Sequence, residues 1–456
     1  MTTARVTSAY RGRRARVLAS SGWWLPASAL ALMVASDYKY RVRAASTSAD
    51  TSVLLEVAVY GLVAVYLVWR YVAPVRLRQR MPRPMYFLTV YVLLMLASLI
   101  QAPSRTVAAV RVVEMAVLLL LAWLAATRAT RKMFADLASS FLVLVAGSVF
   151  LGVAYPMPRY HLQEGRFTWL RVHPVVSGVY LSIAVVIAAS MLLQINDRPQ
   201  RTIMRMPVCV SLLAIVVGGL LATKTRGAVL GAIAGLIVLV WCARRGRARV
   251  ETATVLVLFV ALAALAGSKA VASYFARGES ASQLASLNSR TSLWDIALQA
   301  IGQRPMFGYG VGASHVLFLD ATGLGGAHNA YLNVTVDLGV VGLLVWAAII
   351  VTTWRQTVRP VDRTAEFRVE RALLLALLAC LLVNGLSNGG LGDESNVSAD
   401  WLFLLAAWST ARVREADSGL NFRERKSGDA AVRSLTAAGP GLPDEVPAAR
   451  RASRTR

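Results

Sequence analysis

The chain has 456 residues, 56% of them hydrophobic and 16% charged, with a mean hydropathy of +0.55. A soluble fold of this size needs more polar surface than that, so soluble globular architectures are excluded. The net charge of +25 would suggest nucleic acid on a soluble protein. Here the cations lie in short segments between apolar runs, the pattern that orients membrane proteins, and no nucleic-acid partner is expected.

In chain order, apolar runs of bilayer-crossing length predict helices near 22–36, 53–73, 85–101, 107–126, 137–155, 174–195, 206–222, 228–243, 250–266, 331–354, 371–387 and 400–411. Backbone polar groups in lipid must be satisfied internally, so the fold class is all-α and polytopic, with about 12 transmembrane helices. Arg5, Arg11, Arg13, Arg14 and Arg16 before Trp23–Ala35 resemble a signal peptide, but a retained first span keeps the alternation of sides intact. Most of the 49 Lys and Arg residues fall before residue 22, at 70–84, 127–136, 196–206, 244–249 and 355–371, and after 412. That bias predicts a multi-pass protein of the bacterial cytoplasmic (inner) membrane with both termini in the cytoplasm.

The organisation expected is N-terminal transmembrane helices over 1–266, a large extracytoplasmic loop over 267–330, and C-terminal transmembrane helices over 331–411. A disordered basic cytoplasmic tail at 412–456 follows, resting near anionic membrane lipids. Cys209, Cys242 and Cys380 lie in apolar runs without metal-ligand spacing and read as small buried hydrophobes. Arg111 and Glu114, three apart in a span, read as a structural pair.

The long loop has its own pattern. Asn288-Ser289 offers an N-cap, and Leu293, Trp294, Ala297, Leu298 and Ile301 predict one apolar face of an amphipathic helix. Gly302 and Pro305 end it. Gly308-Tyr309-Gly310-Val311-Gly312 lacks the strand and spacing of a dinucleotide fingerprint and reads as a loop.

Basic residues on the outer side go against the charge rule and are the candidates for chemistry. Thr223-Lys224-Thr225-Arg226-Gly227 is a hairpin between two spans, which holds Arg226 at head-group depth with Lys224 beside it. A guanidinium binds phosphate oxygens bidentately, although Arg226 taken alone also fits an arginine snorkelling to lipid phosphates. Arg290 opens the amphipathic helix, a placement the helix dipole disfavours unless an anion binds there. His328 lies in the glycine-rich turn Gly323–Tyr331, with Asn329 and Tyr331 beside it. A helix N-terminus depresses an imidazole pKa, and a neutral imidazole suits a general base. Arg166, Arg171 and His173 bring further charge to the outer mouth of a span. The acidic loop 392–396 lacks a convincing metal set, and neither metal nor cofactor is expected.

The order of these elements resembles the O-antigen ligase and O-antigen polymerase family of membrane glycosyltransferases. The pieces that carry the resemblance are Thr-Lys-Thr-Arg-Gly (223–227), Ser-Arg-Thr-Ser-Leu-Trp (289–294), Arg-Pro-Met-Phe-Gly-Tyr-Gly-Val-Gly (304–312), Ala-His-Asn-Ala-Tyr-Leu (327–332) and Gly-Val-Val-Gly (339–342). The resemblance implies a GT-C-like architecture and transfer of a glycan from an undecaprenyl-diphosphate carrier to an acceptor glycan or lipid at the outer face of the inner membrane. It implies diphosphate binding by Arg226 and Arg290, activation of the acceptor by His328, and no metal. His173-Pro174-Val175 stands where the family often shows His-Pro-Asn. Lys224, Arg166, Arg171, His173, Asn329 and Tyr331 are expected to bind substrate. A transporter or flippase of lipid-linked sugars is the rival reading, but such proteins usually place charged sites near the bilayer midplane.

Overall fold

The computed structural model describes residues 22–38, 51–71, 81–155, 165–196, 202–254, 290–322, 325–361, 365–392 and 396–437, with 267, 269 and 274 singly. Its described elements are all helical: α1 Trp24–Asp37, α2 Thr51–Tyr71, α3 Arg83–Ser98, α4 Arg105–Arg128, α5 Arg131–Ala154, α6 Pro174–Asn196, α7 Thr202–Ala222 and α8 Arg226–Ala243. There follow α9 Arg290–Gln303, α10 Ala313–Thr322, α11 Ala330–Val358, α12 Ala365–Gly385 and α13 Val397–Ala437. Among the described residues, six helices are long and apolar enough to cross a membrane, and α1, α3 and the apolar part of α7 are shorter. The predicted span at 250–266 lies outside the described residues beyond Thr254, as do the Asn288-Ser289 cap and residues 393–395.

Residues Met1–Val413 form one compact unit and Arg414–Arg456 a second. The last helix does not stop at 411. It runs to Ala437, through a stretch in which Arg and Ala, both good helix formers, are the commonest residues, and residues 438–456 lie outside the described residues.

Within the first unit α6 is buried nearly all round, which matches its unbroken apolar sequence. It packs on α7 and α8, and α8 sets Ala228, Gly231, Ala232 and Gly235 against α6 and α12. Ser104 and Thr130 cap α4 and α5 by accepting from Val107 N and Met133 N.

α11 departs most from the sequence reading. The predicted span is a single helix, but its backbone breaks at Gly339 (φ 66°, ψ −169°). A Cβ there would lie 2.2 Å from the Met306 carbonyl oxygen, so only glycine permits this approach. The 305–310 turn fills the break. Tyr309 N and Gly310 N donate to the Val336 and Asp337 carbonyls at 2.9 and 2.8 Å. Val340 N and Val341 N donate to Pro305 O and Met306 O at 2.8 and 3.2 Å. The backbone groups freed by the kink are thereby satisfied by protein.

Asp337, fully buried beside the kink, accepts from Gly312 N (2.9 Å) and Ser314 N (2.6 Å). The buried Arg111, read from sequence with Glu114 alone, lends its positive charge to Asp337. The glycine-rich 308–312 stretch is therefore a tight turn locked to α11, and it leads into α10, a helix the sequence reading did not include.

α9 lies on α11 by one face. Leu293 and Ala297 are buried with Phe318, Ala327 and Val336, and Trp294 and Ile301 pack at the margin. Leu298 is 58% exposed and leaves the predicted apolar face, because five residues turn it well away from Leu293.

One end of the bundle carries a closed ionic cluster. Arg131 of α5 donates from Nε to Glu370 Oε2 of α12 at 2.7 Å and stacks over Phe367 at 3.5 Å. Trp408 Nε1 donates to Glu370 Oε1 at 2.8 Å, and Arg412 Nη1 donates to Thr357 O at 2.8 Å. Four helices are tied there.

Candidate active site

The opposite end gathers segments far apart in sequence. Phe167 N donates to Ala222 O at 2.9 Å, which lays the 165–174 segment along the 223–225 hairpin. Arg166 fastens the two together: Nε donates to Thr223 O and Nη2 to Thr225 Oγ1, both at 2.9 Å. Thr225 Oγ1 in turn donates to Pro174 O at 3.0 Å. Lys224 extends its ammonium over Gly165. Thr225 is the N-cap residue of α8, so Arg226 is that helix's first residue, and Arg290 is the first residue of α9.

Electrostatic coupling shows which charges meet. Desolvation, and then the Arg226 charge, lower the proton affinity of Arg290. The pKa of His328 is lowered by desolvation and then by Arg290. His173 is lowered first by desolvation, then by Arg166 and His328. The sequence reading credited the helix dipole for a neutral His328; burial and a neighbouring guanidinium produce the same direction. The His173 side chain is exposed to solvent. Its Nδ1 accepts from Val175 N at 3.2 Å, so the neutral ring carries its proton on Nε2.

Strain marks the same segments. Among the described residues, the non-glycine positions with positive φ are Leu170 (41°), Arg171 (55°), Lys224 (52°) and His328 (50°). All four lie in these loops. A left-handed non-glycine residue costs roughly 1–2 kcal/mol and persists only where its surroundings over-determine it, as functional sites often do.

Arg226, Arg290, His328, His173 and Arg166 are thus brought together. Arg171 shares the segment but is not among the charges felt by His173, His328 or Arg290. Asn329 and Tyr331 are occupied differently from the sequence expectation. Asn329 Oδ1 accepts from Tyr331 N (3.0 Å) and Leu332 N (3.2 Å), capping α11. The Tyr331 hydroxyl donates to Leu382 O at 2.9 Å, and its ring stands edge-on to Trp346. Both hold α11 in place. Sequence reasoning missed Asp337 and Asn333; each is a lone polar side chain in an apolar run, and Gly339 two residues after Asp337 was the available signal of a break.

The helices and this loop-built site define the class: a multi-pass helical membrane protein with a cationic, histidine-bearing site at one end of its bundle. Residues 210–347 match the family model described as O-antigen ligase. Over that range the chain is similar to O-antigen ligases, in agreement with the order of motifs in its sequence. The matched range holds Lys224, Arg226, Arg290, His328, Asn329 and Tyr331, and leaves Arg166, Arg171 and His173 outside it. No curated protein matches the chain.

Proposed function

We propose that this chain transfers a glycan from an undecaprenyl-diphosphate carrier to the hydroxyl of an acceptor glycan or lipid at the extracytoplasmic face of the inner membrane. One observation carries the reading: Arg290 stands between Arg226 and His328, which come from separate segments, feeling the charge of the first and imposing its own on the second. Guanidinium groups clustered against like charge suit a dianionic substrate. The acceptor oxygen attacks the anomeric carbon as its bond to the diphosphate breaks. His328 takes the hydroxyl proton, and the departing diphosphate takes the bonding pair, its charge held by Arg226 and Arg290. In-line attack inverts the anomeric centre.

The kink in α11 also supports an enzyme over a transporter. Transporters use broken helices to line a substrate cavity, whereas here the 305–310 turn occupies the break. The test is a purified, reconstituted chain supplied with lipid-linked glycan and acceptor, scored for transfer and for translocation. Transfer that disappears in Arg226→Ala, Arg290→Ala and His328→Ala supports the reading. Full activity of His328→Ala removes the base assignment, and translocation without transfer removes the enzyme.

A further inference from the structure

The backbone of Ala327, the residue just before His328, is held at both its N–H and its carbonyl. Asn333 Oδ1 accepts from Ala327 N at 3.0 Å, and Trp294 Nε1 donates to Ala327 O at 3.2 Å. Asn333 belongs to the first turn of α11 and is buried; Trp294 belongs to α9, four residues after Arg290 and so on the same side of that helix. Ala327 has no exposed surface and belongs to the small apolar cluster between α9 and α11. The turn reaches it through Gly326 (φ +126°), where a Cβ would lie 3.0 Å from Asn333 Nδ2, so the chain passes directly over that amide. His328 follows at once in a left-handed conformation that few non-glycine residues adopt.

We infer that Trp294 and Asn333 are positioning residues, clamping the two peptide units that flank the Ala327 Cα so that the strained His328 is presented to Arg290. The clamp ties the histidine to the arginine's own helix: the indole and the guanidinium move together, and the imidazole with them. Neither residue touches the reacting atoms. The inference rests on the reading of His328 as the base, and it adds what holds that base in register. The titratable groups facing His328 are Arg290 from α9 and His173 from the 165–174 segment.

Trp294→Phe keeps the ring and removes only the indole N–H; Asn333→Leu removes the acceptor at similar volume. In the reconstituted transfer assay, each lowers kcat roughly tenfold, the loss expected of one hydrogen bond, with KM for the lipid-linked glycan unchanged. Each also moves the acid limb of the kcat profile up toward the ordinary histidine range, because the released imidazole leaves the Arg290 charge. An acid limb that stays in place in both variants overturns the clamp, whatever kcat does. His328→Ala in the same assay separates the two claims. If it is fully active, the base assignment fails; if it is inactive while Trp294→Phe keeps the native profile, only the clamp fails. Hydrogen exchange on the unaltered chain covers variants that do not fold: a protected Ala327 amide is expected, and exchange at the rate of an open loop overturns the clamp.

Discussion

The two ends of the bundle handle arginine in opposite ways. Around Glu370, Arg131 is drawn onto a carboxylate at 2.7 Å, Arg412 lies 3.8 Å from the same oxygen, and Trp408 donates to the other. There a carboxylate stands between the guanidinium groups, Arg412 feeling Glu370 as well as Arg371 and Arg131, and the cluster ties helices together. Around His328 the recorded influences are like in sign: Arg226 on Arg290, Arg290 on His328, Arg166 and His328 on His173. Such an arrangement costs free energy in the empty protein and recovers it when an anion enters. The proposed function makes the first end a brace and the second a ligand site, and that difference can be tested.

The largest effects are expected at the ligand end. Arg226→Ala and Arg290→Ala should each lower kcat by about 100- to 1,000-fold, the usual cost of losing one donor to a charge that develops in the transition state. Purified variants should keep their melting temperature; a large loss of stability would mean that these arginines brace the fold instead. Removing the carboxylate at the other end should reverse the pattern. Glu370→Ala leaves Arg131 and Arg412 buried without their counter-charge and should destabilise by about 3–5 kcal/mol, while activity per folded molecule survives. Thermal unfolding in detergent beside a transfer assay measures both quantities.

A smaller effect is expected from Arg290→Lys, which keeps the charge and gives up the planar fork. Activity should fall roughly tenfold, and an unchanged rate would show that charge alone suffices. The smallest effect concerns pH. His328 must be neutral to accept a proton, and its pKa is lowered from the ordinary 6.5 by burial and by Arg290. Activity is therefore present above that lowered value and is lost as pH falls through it. The acid limb of the wild-type profile should lie below 6.5, and a limb at or above 6.5 would place the histidine away from the cation.

Much of the architecture was legible beforehand because apolar run length is a one-dimensional signal. The helices α4, α5, α6, α8 and α11 begin and end within a few residues of the apolar runs. Arg226, Arg290 and His328 stood out because cations and imidazoles are rare beside spans. Their partners did not. Asn329 and Tyr331 looked like site residues by adjacency, yet one caps α11 and the other braces it against α12. Asp337 drew no notice in the sequence, because the two N–H groups that bind it come from the turn at 308–314.

The sequence by itself determined that this chain crosses a membrane repeatedly and which loops carry cations, since both follow from local composition and the cost of placing polar groups in lipid. It could not determine that α11 breaks at Gly339, that Trp294 reaches the Ala327 carbonyl, or that His328 adopts a left-handed backbone. Those features depend on hydrogen bonds between residues tens of positions apart. Only the folded chain decides which distant donor meets which orphaned acceptor.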